Sequence, residues 1–207
     1  RGFDLMKGSA VAVIFIVINI IAATIFMTVI TVSIKKSIIS EEELSKASLN
    51  KIIEVYSNKN IASINYYNAI SLIPRLDIYT LNSLSNYIRR INLIHADNSL
   101  IEKPITFQEF QYIQARIQEN INKINYTARN YPVLRTNEGY IKALYYIKPI
   151  IEDEAKAIEI YNSHVKEYNK LTSMPPSSII AGIMGKFPFL TFETGTNIIS
   201  QTARMFE

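Results

Sequence analysis

The chain offers few side chains that could carry out catalysis. Its 207 residues include only two histidines, His95 and His164, and no cysteine. The lack of cysteine excludes a disulfide framework, a thiolate metal site and a cysteine nucleophile. A carboxylate-bridged di-metal bundle needs Glu three residues before a ligating His on two helices. Those positions are Asn92 and Tyr161 here, so we predict no enzyme activity, no metal site and no cofactor.

Charged side chains do not form a clear binding site either. Two acidic runs, Glu41–Glu43 and Glu152–Glu154, lack the glycine turn and spaced oxygen ligands of a calcium loop. We interpret both runs as solvated helix faces. The net charge of +4 comes from scattered basic residues, with no cluster longer than the pairs Lys35-Lys36 and Arg89-Arg90. This pattern is not typical of nucleic-acid binding, so no nucleic-acid partner is predicted.

Four polar residues near the end of the chain repeat at a heptad step. Tyr161 and Tyr168 are seven residues apart, and Asn162 and Asn169 follow them directly. We interpret the tyrosines as core residues whose hydroxyls are hydrogen-bonded. The two asparagines could form a polar ladder that fixes helix register or partner choice, or they could hydrogen-bond neighbouring backbone. The sequence does not decide between these two roles.

The apolar segment from Ser178 to Phe192 is the best functional candidate. It follows a proline pair at Pro175-Pro176 and contains two glycines. Since a large apolar patch rarely stays in water, the segment could dock into a neighbouring subunit or the membrane interface. Alternatively it folds back over the open end of its own domain. The proposed docking residues are Ile179, Ile180, Ile183, Met184, Phe187 and Phe189.

An uncharged stretch near the amino terminus predicts a membrane anchor. No charged residue occurs between Gly8 and Ile34. As a helix this stretch would reach roughly 40 Å, more than the roughly 30 Å of a bilayer's hydrocarbon core. A signal peptide would have a shorter apolar region, of about 7–15 residues. Asn19 lies in mid-span, where its amide could contact another anchor helix or fold back on its own helix.

The remaining chain shows helical periodicity, which predicts an all-α fold. Apolar stripes favour helices over 41–70, 75–95, 106–131 and 137–171, with an uncertain break at Asn58–Asn60, a stop at Pro74 and a kink at Pro149. A capping box is predicted at Thr106 and Glu109. The inward side chains predicted for the last helix are Ile141, Leu144, Ile151, Ala155, Ile158, Tyr161, Val165 and Tyr168.

These elements predict a transmembrane helix followed by an antiparallel four-helix bundle with long helices. The predicted divisions are a flank at 1–7, the transmembrane helix at 8–35, the bundle at 36–172 and an apolar tail at 173–207. It remains open whether the anchor helix continues directly into the bundle.

Two sets of residues resemble the LemA family. Leu72-Ile73-Pro74, followed by Leu76, resembles that family's LIPNL element. The second set comprises Tyr131-Pro132-Val133-Leu134, Asn137-Glu138, Tyr161-Asn162, Val165, Tyr168-Asn169, Pro175, Ile180-Ala181-Gly182-Ile183-Met184-Gly185, Phe187 and Phe192. The resemblance implies an envelope-associated helical bundle with no established catalytic activity.

We therefore expect a non-enzymatic scaffold or interaction protein in the bacterial cytoplasmic (inner) membrane. Its expected partners are the lipid bilayer, other copies of itself and unidentified membrane proteins. The alternative is a sensory bundle that detects an envelope ligand or state. Lys35 and Lys36, with Lys46 and Lys51 beyond them, slightly favour a cytoplasmic bundle by the positive-inside rule.

Overall fold

The computed structural model describes residues 2–71, 73, 76–128 and 131–193, with side chains from residue 12 onward. These residues form six α-helices and one 3₁₀ helix, Leu100–Glu102, and contain no strand. The all-α prediction is confirmed for this part of the chain, whereas the predicted stop at Pro74 lies outside it. The α-helices are α1 (Gly2–Ile70), α2 (Ile78–Ile91), α3 (Pro104–Ala128), α4 (Pro132–Arg135), α5 (Glu138–Ser173) and α6 (Ser177–Ile183).

Helix α1 is one continuous helix of 69 residues. The predicted anchor helix therefore runs directly into the folded domain, which answers the question that the sequence left open. The break predicted at Asn58–Asn60 is wrong. Lys59 points inward and pairs with Glu154 of α5, while the Asn60 side chain accepts a hydrogen bond from Gln114 of α3. Polar side chains that suggested a loop are instead used for contacts between helices.

Helix α5 packs along α1 in the antiparallel direction. Tyr66 of α1 lies 6.0 Å from Tyr140, measured between ring centroids, near the start of α5. Ile38, much earlier in α1, packs with Tyr168 near the end of α5. Because the contacts of α5 run in reverse order along α1, the amino-terminal part of α1 and the carboxyl end of α5 lie at the same end of the domain.

Helices α2 and α3 form a second antiparallel pair. Arg90 near the end of α2 lies 2.9 Å from Glu109 near the start of α3, and the Asn120 amide donates to the Ser83 hydroxyl at 3.2 Å. The capping box predicted at Thr106 is wrong because α3 already begins at Pro104. Proline suits the first position of a helix, where its missing N–H costs nothing.

The predicted apolar stripes of α2 and α3 are confirmed. Both helices bury them in one large core that also receives side chains from α1 and α5. The buried stripe residues are Leu81, Leu84, Ile88 and Ile91 of α2, and Phe110, Ile113, Ile117, Ile121, Ile124 and Ala128 of α3.

The inward face predicted for the first half of α5 is wrong by about one residue. Ile141 and Ala155 are exposed, and the buried residues there are Tyr140, Ala143 and Ile147. The start of the helix sets this register, since the Asn137 side chain caps it by accepting from the Tyr140 backbone N–H. Further along, Leu144, Ile151 and Ile158 are half-buried, and Tyr161, Val165 and Tyr168 are fully inside. Helix α5 continues through Pro149.

Candidate interaction site around the carboxyl-terminal segment

Residues 186–193, which we call the strap, run along α5 without helical structure. The Asn162 amide donates to the Phe192 carbonyl at 2.8 Å, and the Phe192 N–H donates back to the Asn162 oxygen at 2.9 Å. Asn169 makes the same reciprocal pair with Phe189, at 2.8 and 2.7 Å. The two asparagines thus bind neighbouring backbone, which was one of the two roles that the sequence left open.

The two tyrosines of the repeat hold the strap from the core side. Tyr161 is fully buried and its hydroxyl donates to the Leu190 carbonyl at 2.7 Å. Tyr168 stacks on Phe189 with ring centroids 4.4 Å apart. Burial raises the pKa of Tyr161 and raises the pKa of Tyr168 to about 12, because the phenolate form loses hydration. Both tyrosines are therefore neutral at physiological pH, and the Tyr161 hydroxyl keeps the proton that it donates to Leu190.

Phe192 anchors the far end of the strap in the core. Its ring lies 4.8 Å from Phe107 of α3, 5.2 Å from Tyr161 of α5 and 6.1 Å from Tyr56 of α1, between ring centroids. The next residue, Glu193, donates its backbone N–H to the Gln111 side chain at 2.8 Å. The strap thereby connects three helices and fills one end of the seam between α3 and α5.

Helix α6 places only half of its apolar residues against the domain. Ala181 is fully buried beside Ile38 of α1, with Ile180 and Met184 packed around them. Gly185, at φ 66°, adopts the left-handed conformation that favours glycine. The Lys186 N–H then bonds to the Ala181 carbonyl at 2.9 Å, which closes the helix and turns the chain into the strap.

The six predicted docking residues therefore divide into two groups. Ile180, Met184 and Phe189 face the chain's own domain and are half-buried, as expected if the tail folds back. Ile179, Ile183 and Phe187 stay exposed, with 64%, 79% and 72% of their surface accessible. The fold-back alternative thus accounts for three of the six residues and leaves an apolar outer face.

An ion-pair cluster ties the beginning of the strap to α1. The Glu42 carboxylate lies 2.6 Å from the Lys186 ammonium and 2.8 Å from that of Lys46. Partial burial opposes ionisation of Glu42, but the hydrogen bonds from Lys186 and Lys46 outweigh it and lower the pKa of this carboxyl group.

The interpretation of both acidic runs as solvated faces is wrong for Glu42, which is buried, and for Glu154, which pairs with buried Lys59.

The strap contact of Glu42 should weaken in acid. Because folding lowers the Glu42 pKa below 4.5, its contribution is present above that value and is lost as pH falls through the folded-state pKa. As the pH falls through the folded-state pKa of Glu42, we expect the unfolding free energies of wild type and Glu42→Gln to become more similar. Urea unfolding at several pH values measures this difference. Glu43→Gln, at an exposed position, is the matched control. If wild type and Glu42→Gln differed by the same unfolding free energy at neutral and acidic pH, ionised Glu42 would not be the group that stabilises the strap contact.

A cleft of about 890 Å³ continues the seam between α3 and α5 beyond the strap. Its volume falls within the range of ligand pockets. The cleft was not predicted from the sequence, although Gln111, Gln114 and Gln118 recur on α3 at steps of three and four, beside the buried apolar stripe of that helix. That polar row is the signal that could have revealed it. The other lining residues include Tyr56, Asp77, Ala115, Lys123, Tyr126, Ile151, Glu154, Ala155 and Ile158.

The histidines do not meet in a common site. His95 lies 3.4 Å from Asp97 in the loop after α2, and His164 lies 3.6 Å from Glu41 between α5 and α1. Among the described residues, no group of three or more histidine, aspartate or glutamate side chains could hold a metal ion. The strap and the cleft instead offer hydrogen-bonding groups and apolar surface, which suit the binding of another molecule.

The amino-terminal part of α1 is long and apolar enough to cross a membrane. The best window has a mean hydropathy of 2.8 and is 0% buried by the rest of the protein. The Asn19 amide donates to the Phe15 carbonyl of its own helix at 2.8 Å, so it folds back, one of the two alternatives. The threonines at 24, 28 and 31 bond in the same way to preceding carbonyls, which lowers the cost of placing them in lipid.

Fold and site together define an all-helical protein with an apolar amino-terminal helix and a carboxyl-terminal strap clamped by asparagines. The chain belongs to the LemA family, whose model matches residues 82–203. The match confirms the resemblance and includes most of α2 and all of α3, α4, α5, α6 and the strap. No curated protein and no solved structure matches the chain.

Proposed function

We propose that this protein is a membrane-anchored interaction protein of the bacterial envelope that scaffolds other proteins and has no catalytic activity. One observation carries the proposal: α1 is a single helix whose first part is apolar and exposed and whose later part lies in the core. A span joined to a folded domain without a hinge would hold that domain at a fixed position over the membrane. Such rigid placement suits a scaffold.

The domain supplies surfaces on which partners could assemble. We propose that α1, α2, α3 and α5 act as an antiparallel four-helix bundle, which is supported by the antiparallel pairs α1–α5 and α2–α3. The cleft between α3 and α5 remains open beside the strap. The bundle's grooves and exposed apolar residues offer surface that other molecules could bind.

We place the span in the cytoplasmic (inner) membrane with the bundle on the cytoplasmic side. Exposed Lys35 and Lys36, directly after the apolar stretch, support this orientation through the positive-inside rule. Self-association is part of the proposal, with the bilayer and other membrane proteins as further partners. Since Asn19 is bonded within its own helix, the bundle and its tail are better candidates than the anchor for contacts between copies.

Alkaline extraction of membranes tests the anchor. We expect the wild-type protein to stay in the membrane pellet and the variant Ile18→Arg with Ile25→Arg to be lost from it, because each arginine at mid-span costs about 2.5–3.5 kcal/mol on insertion scales. Protease treatment of spheroplasts and inverted vesicles then reports the side of the bundle. Blue-native gels of the detergent extract report self-association.

The matched control introduces the same two arginines outside the span. Ile61→Arg with Ile78→Arg changes two exposed isoleucines of the bundle and should leave the protein in the pellet. Extraction of the wild type at alkaline pH would contradict the anchor, and a monomer on the native gel would contradict self-association.

A further inference from the structure

The apolar outer face of α6 lies at the level where the membrane span ends. Ile34, the last residue of the uncharged stretch, is already packed in the cluster that contains Ile38, Ala181 and Met184. The folded domain therefore begins where α1 leaves the apolar segment, with no spacer between them. Helix α6 contacts α1 at this position.

The orientation of α6 is fixed by the residues on its inner side. Ala181 has no accessible surface, and Ile180 and Met184 pack beside it. Ile179 and Ile183, one helical turn apart, therefore point away from the domain. Beyond the turn at Gly185, Lys186 is held by Glu42, so Phe187 is also presented outward from a fixed backbone.

These contacts leave three large apolar side chains exposed on a short, firmly attached segment. Ile179, Ile183 and Phe187 each expose well over half of their surface. Exposing such a group in water forgoes the stabilisation that burial would give. The nearest apolar phase is the bilayer that α1 would cross, because α6 packs against the last turns before Lys35 and Lys36 and the first turn after them.

We propose that Ile179, Ile183 and Phe187 insert into the interface of the same bilayer that α1 spans, so that α6 is a second membrane contact. An amphipathic helix on a bilayer buries its apolar face at the boundary between headgroups and acyl chains. Lys35 and Lys36, both exposed, would lie beside it and attract anionic headgroups. The proposal rests on the membrane anchoring proposed above and adds that the bundle leans on the surface through its tail.

Single-cysteine labelling tests this contact, because the 207 residues contain no cysteine. Ile183→Cys would carry a polarity-sensitive fluorophore in vesicles of phosphatidylcholine and phosphatidylglycerol that include a lipid with a nitroxide on its acyl chain. We expect the nitroxide to quench more than half of the fluorescence. Val29→Cys, within the span, is the positive control, and Tyr79→Cys, exposed at the start of α2 near the other end of α1, is the negative control.

The outcomes separate failure of this proposal from failure of the anchor. Quenching at Val29 without quenching at Ile183 would overturn the α6 contact and leave the anchor intact. A blue-shifted, unquenched label at Ile183 would mean that a second copy of the chain covers this face, which also overturns the lipid contact. No quenching at Val29 would overturn the anchor itself.

Discussion

Replacing Lys59 with methionine should destabilise the protein by about 3–5 kcal/mol, the usual cost of removing one partner of a buried ion pair. Lys59 exposes 1% of its side chain and lies 2.6 Å from Glu154, which exposes 15%. Its ammonium group also lies 5.6 Å from the centre of the Tyr56 ring. Methionine would fill much of the space of the lysine but would leave the Glu154 carboxylate without its cation.

Urea unfolding of the detergent-solubilised full chain measures this effect, and α1 itself provides the control. Lys51 forms an ion pair with Glu54 at 2.9 Å in which both side chains are 61% exposed. Such surface pairs contribute about 0–1 kcal/mol, so Lys51→Met should be nearly neutral. The double variant Lys59→Met with Glu154→Met should recover most of the loss. Equal effects at the two lysines would contradict a buried role for Lys59.

The elements that the sequence predicts well depend on local regularity. The uncharged stretch from Gly8 to Ile34 and the stripes of α2 and α3 are visible because their apolar residues recur at fixed steps. The middle of α1 is harder to predict, since an inward lysine looks identical in sequence to an exposed one. The role of Lys59 depends on Glu154, which is 95 residues away, and no local sequence pattern indicates that these two residues pair.

The candidate site shows the same division between local and long-range information. The heptad repeat of Tyr161-Asn162 and Tyr168-Asn169 is visible in the sequence, and so is the apolar tail. The sequence does not indicate that one binds the other, because a side-chain amide can pair with any extended backbone that reaches it. The predicted inward face of α5 is wrong for a related reason. The first turn of α5 is positioned by Asn137 and by the Tyr140 hydroxyl, which donates to Asn125 of α3.

Releasing the strap should have the second large effect. In the variant Asn162→Ala with Asn169→Ala, the N–H and carbonyl groups of Phe189 and Phe192 lose four hydrogen bonds. At about 0.5–1.5 kcal/mol for each bond, we expect a loss of about 2–6 kcal/mol. Phe192→Ala should cost about 3–5 kcal/mol, because it empties a buried aromatic site between three helices.

Amide hydrogen exchange distinguishes release of the strap from general destabilisation. Backbone amides that donate to these half-buried asparagines are protected, and local opening exposes them without unfolding the core. We expect the double asparagine variant to lose protection at Phe189 and Phe192 and to retain it at Ile113, which lies in the core of α3. The control variant Asn58→Ala with Asn65→Ala, at exposed positions of α1, should leave the protection of all three amides unchanged.

Release of the strap should also alter the seam between α3 and α5. Phe192 and the Glu193 N–H join these helices next to the cleft, so their departure would lengthen the open seam toward the end of the domain where Glu42 and Lys186 lie. A cysteine at Gln114, which lines the cleft, should then react faster with a maleimide in the double asparagine variant than in an otherwise unchanged chain. If Phe189 and Phe192 kept their protection and the reaction rate did not change, the aromatic contacts alone would hold the strap, and the asparagine clamp would not be its main support.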